Sequence, residues 1–203
     1  MDINDKNIGV VIVCYNTPYI ITNAVESVIS SVKEIVIIDY SDKDNDCYNE
    51  CKKLNLNDKI NVYHYDKNMG HGPGLNIGID KLNTEYIICM DSDAILLDNS
   101  LIVDMVKELD NPKIYGCGKL RSATGLKNRY LYLPFCMFKK STFKKYHPFI
   151  HDGAPFKKTM IQIKNKLDLV QIPNFDERLL HIGKSTRKIA GYWRKGFGGK
   201  DGI

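Results

Sequence analysis

Residues 85–100 read EYIICMDSDAILLDNS. A mostly apolar run, Tyr86 to Met90, meets Asp91, Ser92 and Asp93, and the chain turns apolar again from Ala94 to Leu97. An apolar run of this length closed by polar residues predicts a buried strand ending at the first aspartate. Two carboxylates so close together repel, and burying either is costly unless a cation or hydrogen-bond donors compensate. The pair therefore predicts a positive partner that the local sequence does not supply.

Three similar runs stand upstream. IGVVIVC (8–14) is continuous and β-branched, as in a central parallel strand buried on both faces. Thr17 and Pro18 suit the N-cap and first position of a helix in which Ile21, Ala24, Val25, Val28, Ile29 and Val32 recur at helical spacing. EIVIIDY (34–40) and KINVYHYD (59–66) predict the second and third strands, with helices over 42–55 and 73–82. Alternating strands and helices imply a parallel sheet with right-handed crossovers, and such sheets bind ligands beyond the carboxyl ends of their strands. Polar residues follow all four strands: Tyr15 and Asn16, Asp39 and Ser41, Asn68 to Gly74, then Asp91 and Asp93. Any one set is ordinary turn chemistry. Together they predict a binding crevice.

The chain of 203 residues, 43% hydrophobic and 26% charged, suits one globular domain. No apolar stretch is long enough to span a membrane, and MDINDKNIGV lacks the layout of a signal peptide, so a cytoplasmic protein is expected. The six cysteines, at 14, 47, 51, 89, 117 and 136, show no zinc-ribbon pairs and read as core thiols. The net charge of +5 is unevenly spread: residues 1–110 hold most of the acids, whereas FKKSTFKKYH and KSTRKIAGYWRKGFGGK are basic. The second half is expected to face an anion, or simply to be a solvated basic face. After residue 112 the regular alternation ends. RYLYLPFCMFKK predicts a strand with Pro134 as a bend or edge, followed by helices near 141–146 and 155–166. The expected division is a nucleotide-binding half, 1–112, and an acceptor-side half, 113–203.

Asp91 and Asp93 offer carboxylate oxygens to one hard divalent cation, with phosphate and water completing its shell. The plainer alternative is that one caps a turn and the other is solvated. Preceded by YDKNMGHGPGLNIGI (65–79), VVIVCYNTPYIITNAVESV and IVIIDYSDKD, this D-x-D closely resembles the GT-A glycosyltransferases of the family 2 type over residues 8 to 120. The resemblance implies a Rossmann-like, mostly parallel sheet flanked by helices, with a smaller acceptor-side C-terminal portion. It implies transfer of a sugar from a nucleotide sugar, a UDP-sugar by expectation, with Mn2+ or Mg2+ and inversion at the sugar. Cys14, Tyr15 and Asn16 would then border the nucleotide, and Asp39 would hold the base. Asn68, Gly70 and Gly74 would line the same pocket, with Asp91 near the ribose, Ser92 beside it and Asp93 on the metal.

HDGAPF and HIGKSTR look like the family's later segments, which implies Asp152 as general base and His181 as a metal or diphosphate contact. Lys184, Ser185 and Arg187 would meet the diphosphate, and Tyr192, Trp193 and Arg194 an acceptor. Each has a structural alternative: a Gly-rich turn for 68–74, a cap near Pro155 for Asp152, a satisfied histidine at 181, a solvated basic loop for 184–187, and an anchor for the C-terminal tail at 192–194. An acceptor glycan, a lipid-linked sugar and hydroxylated bases in DNA all remain open. So does a non-catalytic nucleotide- or nucleic-acid-binding protein. A sugar-1-phosphate nucleotidylyltransferase is disfavoured, because CYNTPY replaces the Gly- and Arg-rich loop it needs after strand one.

Overall fold

The computed structural model describes residues 7–123, 126–150 and 154–183. Its centre is a seven-stranded, mostly parallel sheet in the order β3-β2-β1-β4-β7-β6-β8. β1 (Ile8–Cys14), β2 (Glu34–Asp39), β3 (Ile60–His64) and β4 (Tyr86–Asp91) are parallel, and β1 lies between β2 and β4. α1 (Ile20–Val28), α2 (Asp46–Leu54) and α3 (His71–Lys81) connect them. β5 (Ala94–Leu96) and α4 (Ser100–Leu109) follow; β6 (Ile114–Ala123) and β7 (Leu126–Lys139) then extend the sheet, β7 pairing antiparallel with β4 and β6 antiparallel with β7. The short elements α5 (Lys140–Phe143), α6 (Lys157–Ile163), β8 (Asp168–Gln171), α7 (Phe175–Arg178) and β9 (Leu179–His181) complete it.

β1 alternates between two cores. Val10 and Ile12 pack with the cluster holding α1, α2 and α4, while Val11 packs with α3 and with Phe138, Phe149 and Phe156. A strand covered on both faces has no solvent side, hence its unbroken apolar run. α1 starts later than its cap signal predicts. Thr17 is fully buried, with its hydroxyl 3.4 Å from Ser92 Oγ, and Tyr19, at φ 64°, precedes the first helical residue, Ile20. Pro134 lies on an interior strand, not an edge. It falls past the last β4 pair, Met90 with Phe135, where β6 and β7 slip register between Gly118 and Leu120. A residue without an amide proton is tolerated there.

Gly78 of α3 is required by packing: a β-carbon there would stand 2.2 Å from Val11 Cγ2. Gly78→Ala should lower stability by about 2 kcal/mol, as overpacking of about 3 kcal/mol outweighs a helix-propensity gain of about 1 kcal/mol. Urea unfolding midpoints for this variant and for Gly78→Ala with Val11→Ala check it; the second substitution should restore most of the loss. Among the described residues, no helix is long and apolar enough to cross a membrane.

Candidate active site

The chain leaves β1 toward β2 and β3, then returns to the other side of β1 as β4. The carboxyl ends of β1 and β4 thus flank a topological switch point, where open α/β sheets hold ligands. β4 ends in Asp91, and Ser92 and Asp93 turn the chain into β5. β9 pairs antiparallel with β5, with His181 opposite Ala94, so the register itself brings His181 to the aspartates. Its Nε2 lies 3.1 Å from Asp93 Oδ1 and 3.6 Å from Asp91 Oδ2. One donor atom from each of Asp91, Asp93 and His181 falls within 4.8 Å of the others.

Three further side chains frame this triad. His71, the first residue of α3, places Nε2 3.4 Å from Asp91 Oδ1. Tyr132 of β7 bonds His181 Nδ1 at 2.6 Å, and the Arg121 guanidinium lies 3.6 Å from the centre of the Tyr132 ring. Asp91 Oδ1 is buried and, among the described residues, takes no hydrogen bond, only the ion-pair contact of His71. Burial pushes the Asp91 carboxyl above the usual range and the charge of Asp93 adds to this, against the pull of His71 and His181. For His181, burial works downward, but the hydrogen bond it donates to Asp93 and the charges of both aspartates prevail and raise its pKa. A pocket that gathers two carboxylates and an imidazole in this way suits a cation.

Beside the triad, at the ends of β1 and β2, Asn16 at φ 50° donates its backbone N–H to Ser41 Oγ (2.9 Å) and its side-chain amide to Asp42 (2.8 Å). Tyr15 is half-buried. Asp39, wholly buried, accepts the Ser41 N–H on Oδ1 (2.9 Å), and its Oδ2 lies 3.0 Å from His64 Nδ1. The other nitrogen of His64 faces Asp66 at 3.3 Å, and Asp66 pairs with Lys43 at 2.8 Å. Asn68 accepts the Gly70 N–H (2.9 Å), and Gly70, at φ 97°, precedes α3 in a conformation that favours glycine. Gly74 is buried in α3, where a β-carbon would stand 2.9 Å from Val13 Cγ2.

Of the residues singled out from sequence, Asp91, Ser92, Asp93 and His181 gather at the end of β4, while Cys14, Tyr15, Asn16 and Asp39 gather at the neighbouring ends of β1 and β2. Gly70 and Gly74 shape the entry and packing of α3. Asp152, Lys184, Ser185, Arg187, Tyr192, Trp193 and Arg194 lie outside the described residues. His64, His71, Arg121 and Tyr132 join the site without having been anticipated. His71 had a weak signal, a histidine between two glycines in the segment already marked. Tyr132 and Arg121 had none, because only the β6–β7 pairing and the return of β9 bring them to His181.

The family model described as Glycosyl transferase family 2 matches residues 9–163. An uncharacterized glycosyltransferase of Rickettsia conorii is 31% identical over 131 residues, covering 61% of this chain and 21% of that protein. A poly-beta-1,6-N-acetyl-D-glucosamine synthase of Staphylococcus epidermidis is 31% identical over 117 residues, covering 54% of this chain and 27% of that protein. The chain thus spans well under half the length of these relatives. Among solved structures, a mannosyltransferase from Pyrobaculum calidifontis in complex with GDP-Man and Mn2+ superposes with a TM-score of 0.70 at 15% identity, covering 86% of this chain and 57% of that one. GalNAc-T7 with UDP, GalNAc and Mn2+ superposes with a TM-score of 0.64 at 16% identity, covering 86% and 43%. The fold is that of the GT-A enzymes.

Proposed function

Because the chain belongs to glycosyl transferase family 2, we propose that it transfers a sugar from a nucleotide sugar, a UDP-sugar, to an acceptor hydroxyl with inversion, using a divalent cation at Asp91, Asp93 and His181. One observation carries this reading. The three donors converge at the switch point, within 4.8 Å of one another. Two carboxylates and an imidazole suit Mn2+ or Mg2+ with phosphate oxygens and water as further ligands. When bound, such an ion neutralises the charge that gathers on a leaving diphosphate.

The chain's own residues do the rest. His181 Nε2 faces Asp93 and its Nδ1 bonds the Tyr132 hydroxyl. Were Nε2 to hold a cation, Nδ1–H would donate to that hydroxyl, so Tyr132 would fix the ring orientation. His71 opens α3 beside Asp91, where the helix N-terminus also favours an anion. Asp39 and the His64 ring it holds sit where the base is read, and Asp152 takes the proton of the attacking hydroxyl.

The test is a panel of UDP- and GDP-sugars, with and without Mn2+, assayed for release of the nucleoside diphosphate, followed by glycan, lipid-linked and hydroxymethylated-DNA acceptors. Release of UDP only with metal supports the proposal, and no release from any donor with metal present sinks it. Base reading has its own check. Asp39→Ala should weaken UDP binding and flatten the preference for UDP over CDP, since a carboxylate accepts the imide proton of uracil. Calorimetry with an unchanged preference would remove Asp39 from base recognition.

A further inference from the structure

The carboxylate oxygen of Asp39 that accepts the Ser41 N–H, Oδ1, also faces a cluster of three thiols. Cys14 ends β1 in register with Asp39, and Cys47 and Cys51, one turn apart on α2, point toward them. Cys14 Sγ lies 3.4 Å from Asp39 Oδ1 and 3.6 Å from Cys51 Sγ. One donor atom from each of the four falls within 4.8 Å of the others, and all four residues are buried. We infer that Cys14, Cys47, Cys51 and Asp39 form a closed, structural Zn2+ site beneath the crevice.

The separations of Cys14 from Asp39 and from Cys51 are close to those of the ion. Tetrahedral zinc with Zn–S of about 2.3 Å and Zn–O of about 2.0 Å separates two sulfurs by about 3.8 Å and a sulfur from an oxygen by about 3.5 Å. Ligand softness agrees, because a thiolate-rich set with one carboxylate selects zinc over the harder Mg2+ or Mn2+. Four protein ligands leave no open position, as in structural sites.

The surroundings are those of ligands rather than of packing thiols. Cys117, also buried, directs its thiol to backbone carbonyls, as a small apolar residue does. Cys47 differs. Cys14, Cys51, the Ser41 side chain and the Thr17 backbone all meet its thiol, and it stands in the first turn of α2. Asp39 carries the outer contacts expected of a ligating carboxylate, with Ser41 N–H on Oδ1 and His64 on Oδ2. Zinc entry releases three thiol protons to solvent. The remaining excess negative charge is met by the Ser41 and Thr17 donors and by the N-terminus of α2.

Such an ion would clamp the ends of β1 and β2 to α2 and fix Asp39. It shares Asp39 with the proposed base reading but none of Asp91, Asp93 and His181, so its zinc content is decided apart from metal-dependent sugar transfer. The test is elemental analysis of the full chain after dialysis against a weak chelator, with about one zinc per chain expected. Asp93→Ala and Cys136→Ser should keep the zinc, and Cys51→Ser should lose it. Should Cys51→Ser fail to fold, the unmodified chain still decides: with Co2+ in place of zinc it should show sulfur-to-metal charge-transfer absorption. A zinc-free chain, zinc that leaves with Asp93→Ala, or a Co2+ spectrum without the sulfur band would overturn the assignment.

Discussion

Asp93→Ala is expected to lower metal-dependent turnover by about 4 kcal/mol of barrier, roughly a thousand-fold, while the melting temperature holds or rises. Asp93 is 8% exposed and gives one of the three donors that converge at the end of β4. Its loss leaves Asp91 and His181, too few protein ligands to hold the ion firmly. Stability moves the other way. The charge of Asp93 helps to push Asp91 up, so its removal relieves a buried carboxylate. His181 keeps Tyr132 at 2.6 Å, and the Ile182 N–H to Asp93 carbonyl bond belongs to the backbone and survives. Diphosphate release measured against Mn2+ concentration, beside a thermal melt, separates the two effects. Turnover equal to that of the parent would exclude Asp93 as a metal ligand.

The parallel core was legible because burial on both faces erases alternation. β1, β2 and β4 are continuous apolar runs, and each ends near a polar residue that the crevice needs. The elements after residue 91 lack that simplicity. β6 contains Gly116 and Gly118 and slips register twice, and β8 is a four-residue strand at the sheet edge with its ends exposed. Residues 179–181 form a strand only because β5 is there to pair with them. α4 did carry a readable helical signal in Leu101, Ile102, Met105, Val106 and Leu109.

The site divides in the same way. Asp91 and Asp93 announce themselves, since charge directly after an apolar strand demands compensation. What compensates them is remote in sequence: His71 from α3 and His181 from β9. The proximity of Cys14 to Cys47 and Cys51 is likewise a product of the β1–β2 register and of the packing of α2, and no ribbon-like spacing betrays it.

Asp152→Asn is expected to leave UDP-sugar affinity nearly unchanged and to cut transfer by roughly 10²- to 10⁴-fold, the usual contribution of a general base. Asp152 lies outside the described residues, but its flanks are anchored. Phe149 exchanges two hydrogen bonds with Asn76 of α3, at 2.9 and 2.8 Å, and the Ile150 N–H reaches the Pro155 carbonyl at 3.2 Å. These bonds tie the segment to the helix that begins with His71, beside Asp91. The alternative is a cap on the segment that begins near Pro155, ahead of α6 at Lys157, and asparagine would serve such a cap almost equally well. Asparagine keeps the shape and much of the hydrogen bonding of aspartate but cannot take a proton, so a purely structural Asp152 would tolerate the change in both binding and transfer. Single-turnover transfer rates over a range of pH, beside calorimetric UDP-sugar affinities, distinguish the two roles. Parental rates throughout would move the base to Asp176, whose carboxylate pairs with Lys119 and whose charge reaches Tyr132. Asp176→Asn would then carry the deficit that Asp152→Asn failed to show.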